Sequence, residues 1–105
     1  IRRDRIVLDP GMGFFLGRDP AISLEMLRRL GDLRARFGLR TWVSVSRKSF
    51  LGQLTGRPVP GRGAATLATE LWAAADGVDF IRTHDARALR DGIMMWQALS
   101  GRLGP

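Results

Sequence analysis

Three short apolar runs, each stopped by polar or turn-forming residues and each followed by a helical pattern, constrain this chain more than any other feature. Ile6-Val7-Leu8 stops at Asp9-Pro10-Gly11, Thr41-Trp42-Val43-Ser44-Val45 at Ser46-Arg47-Lys48, and Phe80-Ile81 at Arg82-Thr83-His84-Asp85. Runs this short, rich in β-branched and aromatic residues, predict buried strands. Between them the period becomes helical. Asp19-Pro20 predicts a helix start, with Asp19 as cap and Pro20 at the first helical position. Leu24, Leu27, Leu30, Leu33 and Phe37 then form one apolar stripe that Gly38 is placed to stop. After the second strand comes a loop containing Gly52, Gly56, Pro58, Pro60, Gly61 and Gly63. Residues 64–75 predict a helix with Ala68, Leu71, Trp72 and Ala75 on its inner face and Gly77 at its end. Asp85 is placed to cap a last helix through Leu89, Ile93, Trp96 and Leu103.

A strand-helix-strand crossover returns the chain in the same direction, so three βα units in series predict an α/β fold with parallel strands. Asp9, Lys48 and the Arg82/His84 pair then share the C-terminal edge of the sheet, where α/β proteins build their sites. Three strands are few: a barrel takes about eight and an open doubly wound sheet about five or six. The expectation is a segment of a larger protein or one half of an assembly. Its sheet edges, and inner faces at Val43, Val45 and Ile81, would be left for other strands to cover.

The cations single out one position. The chain carries 16 arginines and one lysine, Lys48. An ammonium is a compact point donor and a guanidinium a rigid fork, so the exception suggests that position 48 needs an ammonium. The net charge of +7 invites a nucleic-acid reading. The arginines, however, are scattered in ones and twos on what read as solvated helix faces, and no zinc-finger, RRM or KH string is present. With 105 residues, 45% apolar, a single globular domain is expected. No apolar run approaches the roughly 18 residues needed to cross a bilayer, and no signal core follows the arginine-rich start. Absence of cysteine fits a reducing compartment, and the expected location is the cytoplasm.

DPGMGF at 9–14, SVSRKSFLG at 44–52 and DFIRTHD at 79–85 together resemble the C-terminal part of dihydropteroate synthases, in the correct order and with suitable spacing along nearly the whole chain. The resemblance implies a (β/α)8 TIM barrel, of which residues 1–105 would supply βα units six to eight. It implies a transferase of folate biosynthesis that joins 6-hydroxymethyl-7,8-dihydropterin diphosphate to p-aminobenzoate and releases diphosphate. Mg2+ would take part, its protein ligand expected outside this segment. As partners it implies the missing N-terminal barrel half and a homodimer formed through helices of this region, with neither nucleic acid nor membrane.

The residue types suit that chemistry. Asp9 can accept two adjacent pterin donors with charge-assisted bonds of about 1.5 to 3 kcal/mol each, although alone it also reads as the start of an Asp-Pro turn. By resemblance Lys48 bonds the pterin carbonyl and ring nitrogen, Ser49 the aminobenzoate carboxylate, and Phe14 walls the aminobenzoate pocket. Gly13 and Gly11 would let the first loop turn tightly. Ser49 also reads as an N-cap. Arg82 and His84 alternate along a strand and point the same way; by resemblance Arg82 stacks on the pterin and both hold the departing diphosphate. One stretch departs from the family. Phe15-Leu16-Gly17-Arg18-Asp19-Pro20 stands where its members commonly carry glycine, lysine, threonine and then asparagine. That departure keeps a non-catalytic pterin-binding paralogue as the alternative. A pterin-dependent methyltransferase is disfavoured by SRKSF and RTHD.

Overall fold

In the computed structural model, residues 1–11 and 19–101 are described. After a 3-10 turn at Arg3–Arg5 come β1 (Val7–Leu8), α1 (Pro20–Arg28), α2 (Leu30–Phe37), β2 (Arg40–Val43) and α3 (Ser49–Thr55). A second 3-10 turn at Val59–Gly61 leads to α4 (Gly63–Ala75), β3 (Phe80–Ile81) and α5 (Ala86–Ser100). The strands form a parallel sheet in the order β1-β2-β3. Val7 pairs with Arg40, Leu8 with Thr41, Trp42 with Phe80 and Val43 with Ile81.

Parity along β2 divides the sheet into two faces. Thr41, Val43 and Val45 are fully buried, and Val43 and Val45 join Leu27, Leu30, Phe50, Leu51 and Ala73 in the core beneath the helices. Trp42 points to the other face, where its ring centroid lies 6.4 Å from that of Phe80. Phe80 is 40% exposed. This corrects the expectation that Val43 and Val45 form an uncovered inner face: the odd positions turn toward the helices, and Trp42 and Phe80 carry the bare face. Side chains of a strand alternate, so a one-residue error in facing exchanges the two sets. The run at 6–8 is also less buried than predicted. Val7 is 43% exposed, because β1 lies at the sheet's edge.

Asp19 caps α1 as expected, accepting the Ala21 N–H at 3.0 Å, with Pro20 at its start. The apolar stripe, however, spans two helices rather than one. At Arg29 (φ −101°, ψ 9°) the chain leaves helical geometry while its N–H still reaches the Glu25 and Met26 carbonyls. No proline marks that break, so the leucine periodicity runs through it. Gly38 (φ 62°) ends α2. The predicted loop after β2 contains α3, capped at its C-terminus by Gly56 at φ 73°. Gly52 lies inside that helix because the Arg62 guanidinium rests where a Cβ would stand.

The inner face of α4 differs from the expectation most. Thr66, Glu70 and Ala73 are its buried residues, whereas Ala68, Trp72 and Ala75 are exposed and Leu71 is half-buried. A helix with apolar residues on every side gives the 3.6-residue period little to read, and the two polar side chains that turn inward find bonds there. Asp85 caps α5 by accepting the Ala88 N–H at 3.0 Å. Leu89 is buried at the start of α5, Ile93 is half-buried and Trp96 is exposed; Leu103 lies outside the described residues. Gly92 lets α5 approach α4, since a Cβ there would stand 3.1 Å from Leu71.

Candidate functional site

The ends of the three adjacent strands bring the polar clusters of the sequence to one edge. Asp9 follows β1 and is exposed. Its Oδ1 accepts the Gly11 N–H at 2.9 Å, so the turn role is present. A carboxylate offers about four lone-pair sites, and that bond uses one of them. Gly13 and Phe14 lie outside the described residues, as does the divergent stretch from Phe15 to Arg18.

Beyond β2, Val45 and Ser46 are buried and Arg47 turns out. Arg47 has φ 59°, the one non-glycine residue with positive φ among those described. Such a conformation costs on the order of 1 kcal/mol unless the surroundings impose it. Two groups do so here. The Arg47 N–H donates to Thr66 Oγ1 at 3.0 Å, and the Arg62 guanidinium donates to the Arg47 carbonyl at 3.0 Å. The turn so clamped delivers half-buried Lys48 and exposed Ser49 at the start of α3. Lys48, not Ser49, occupies the capping position; Ser49 is the first helical residue.

Beyond β3, the Arg82 N–H donates to the Val43 carbonyl at 3.0 Å, which carries the strand pairing one residue past Ile81. Arg82 and His84 are exposed, with half-buried Thr83 between them. Arg82 follows the strand directly and keeps the parity of Phe80, whereas Thr83, His84 and Asp85, past the strand's end, all border one cavity against α4. The His84 ring is held from β2: its Nδ1 lies 2.6 Å from Ser46 Oγ, which also accepts the His84 N–H at 3.3 Å. Thr83 turns to the helix side, where its hydroxyl donates to Glu70 Oε1 at 3.1 Å. Glu70 is 1% exposed. Burial pushes its carboxyl pKa up from the ordinary value, with the Thr83 bond opposing and the Asp85 carboxylate adding to the rise. A cavity of about 620 Å3 opens here, lined by Ser46, Arg47, Thr66, Glu70, Thr83 and His84 among others.

Ser46, Arg62, Thr66 and Glu70 are the site-building residues that sequence reasoning missed. Only Glu70 left a signal, as the one charged residue of α4 in the string GAATLATELWAAA.

The parallel βα units thus present a carboxylate, an ammonium, a guanidinium and an imidazole at the C-terminal edge of the sheet, the edge where parallel α/β folds commonly bind ligands. Comparison with known proteins makes this specific. Residues 1–84 match the family described as pterin binding enzyme, and the chain belongs to that family. It is 62% identical over 99 residues to the dihydropteroate synthase type-2 of Escherichia coli, covering 94% of this chain and 36% of that protein. It is 48% identical over 100 residues to the Escherichia coli type-1 synthase, with 95% of this chain and 36% of that protein covered. Among solved structures, dihydropteroate synthase of Coxiella burnetii in complex with pteroic acid superposes with a TM-score of 0.86 at 31% identity, over 96% of this chain and 36% of that one. The Yersinia pestis enzyme with a pterine-sulfa conjugate gives 0.85 at 33% identity, over 96% and 38%. The chain thus spans about a third of the length of the relatives it matches.

Proposed function

We propose that residues 1–105 are the C-terminal segment of a dihydropteroate synthase barrel, its βα units six to eight, and that they supply one wall of the site that joins the pterin diphosphate to p-aminobenzoate. The observation that carries this reading is the meeting of Asp9, Lys48, Arg82 and His84 at the ends of three adjacent strands. Asp9 accepts the two neighbouring pterin donors. Lys48 donates to the pterin carbonyl and ring nitrogen and Ser49 binds the aminobenzoate carboxylate; by resemblance Gly13 would let the first loop turn tightly and Phe14 would wall the aminobenzoate pocket.

The aminobenzoate nitrogen forms its bond to the pterin methylene carbon as the carbon–oxygen bond breaks. Diphosphate leaves with the electron pair, and the amine loses a proton. No protein nucleophile is needed. The requirement is charge neutralisation on the leaving group, which Arg82 supplies through its fork and His84 through an imidazole N–H. The resemblance also implies Mg2+. Its protein ligand is expected outside this segment, and no step above passes through it.

The barrel's remaining strands would cover the face that bears Trp42 and Phe80. A homodimer through this region is supported by the exposed Met94, Met95 and Leu99 of α5. Among the described residues no helix is long and apolar enough to cross a membrane.

The test is calorimetry of the full-length protein with a pterin ligand. Asp9→Ala should weaken binding by about 2 to 4 kcal/mol, since two donors of a buried pterin lose a charged acceptor. Asp9→Asn should fail too, by opposing a donor to a donor. Unchanged affinity in Asp9→Ala sinks the assignment. Product formation from both substrates separates a synthase from a pterin-binding paralogue.

A further inference from the structure

We propose that Glu70 is a positioning residue of this site, which acts through Thr83 to fix the backbone at Asp85 and thereby holds Arg82 and His84 on the substrate side of the sheet edge. The inference rests on the functional reading above and adds to it a residue that touches no substrate. A chain of bonds carries it. The Asp85 N–H donates to Thr83 Oγ1 at 3.2 Å, and the Thr83 hydroxyl donates to Glu70 Oε1 at 3.1 Å. Thr83 lies between Arg82 and His84, so pinning its side chain to Glu70 fixes the backbone that bears both neighbours. The Ser46 bond to His84 fixes the ring from β2; Glu70 fixes the backbone that bears it from α4.

Glu70 is a costly choice for that task unless it is uncharged. It is 1% exposed, and its Oε2 is buried with no hydrogen-bond partner among the described residues. An ionised oxygen left in that state is strongly unfavourable, whereas a protonated carboxyl tolerates it better. The charged or titratable groups lining the same cavity are Arg47 from the turn after β2 and His84 and Asp85 from the segment after β3. Asp85 acts in the direction that keeps the proton on Glu70. When Glu70 ionises as pH rises past its raised native value, two carboxylates face one another around Thr83, and the Arg82–Asp85 segment is pushed from its place.

Steady-state kinetics of the full-length enzyme at stepped pH upward from about 4.5, the ordinary carboxyl value, with thermal unfolding of each variant, decides the matter. Glu70→Gln keeps a neutral acceptor of the same shape. It should retain the parent's low-pH kcat/KM to within about twofold and lose the parent's decline with rising pH. Thr83→Val, nearly isosteric, should lower kcat/KM about tenfold or more by misplacing the diphosphate-binding pair. Glu70→Ala should do the same, and the Glu70→Ala/Thr83→Val double variant should be little worse than either single one, as members of one chain behave. If Glu70→Ala does not fold, Thr83→Val and Glu70→Gln still decide. A decline with rising pH that is identical in parent and Glu70→Gln, or parental kcat/KM in Thr83→Val, overturns the proposal. A parent that forms no product refutes the functional reading itself, a different result from an active parent whose variants match it.

Discussion

Replacing Ser46 by alanine probes the site where the structure is most explicit. The Ser46 side chain is 6% exposed, and its Oγ lies 2.6 Å from His84 Nδ1 while accepting the His84 N–H at 3.3 Å. A buried hydroxyl proton requires an acceptor. Nδ1 of the neutral imidazole is the one within reach among the described residues, which puts the ring's own proton on Nε2, the nitrogen remote from Ser46. On the proposed function, that N–H would be the donor offered to the leaving diphosphate. Ser46→Ala removes both bonds, each worth about 0.5 to 1.5 kcal/mol. Because His84 is exposed, water replaces much of what is lost, and the net destabilisation should be about 1 kcal/mol. The catalytic effect should be larger. A ring free to rotate presents its donor part of the time, and a tenfold fall in kcat/KM, about 1.4 kcal/mol, is the expected result. Nitrogen-15 NMR of the imidazole in the full-length protein reads the tautomer directly, beside denaturant unfolding and turnover. The parent should show the Nε2–H form held fast, and Ser46→Ala the mixed population of a solvated ring. A parent that carries Nδ1–H, or a variant with parental tautomer and parental kcat/KM, refutes the reasoning.

Lys48→Arg keeps the charge but replaces a point donor by a fork, so product formation should fall at least tenfold, whereas a role as mere surface charge predicts no change. Glu70 gives a pH signature in stability as well. The native state holds its proton to higher pH than the unfolded chain, whose carboxyl titrates near 4.5, so stability should fall as pH rises from there toward the raised native value. Urea midpoints at stepped pH should show that slope in the parent and not in Glu70→Gln; equal slopes would contradict it. The 105-residue chain alone should form no product and should associate, because Leu99 is 82% exposed and both outer strands offer unpaired edges. Light scattering that finds a stable monomer of 11.6 kDa would refute that expectation.

The architecture was legible because strand-helix alternation is a strong signal, carried by Asp19-Pro20, Gly38 and Asp85 at the element ends. The facing of β2 was not. Thr41-Trp42-Val43-Ser44-Val45 alternates small or polar with apolar residues on either choice of face, so its sequence allows both. Only the helices, packed against Val43 and Val45, decide it. The residues that complete the site escaped for a related reason. Ser46, Thr66 and Glu70 act on backbone or side chains 38, 19 and 13 positions away, and no local pattern records such pairings. The first loop, with Gly13 and Phe14, stays an expectation.

The position of α4 explains why polar residues took its inner face. Thr66 and Glu70 lie one helical turn apart, so they stand on the same side of the helix. Each meets the segment that follows a different strand: Thr66 the turn at Arg47, Glu70 the segment at Thr83. One helix thereby sets the spacing between the loop that bears Lys48 and the loop that bears Arg82 and His84. Apolar side chains at 66 and 70 would bury more hydrocarbon, but they would leave the Arg47 N–H and the Thr83 hydroxyl without these partners. They would also leave the positive φ of Arg47 held only by Arg62. Where local sequence logic asks for an apolar stripe and the chain supplies Thr and Glu, the departure marks the support of the site.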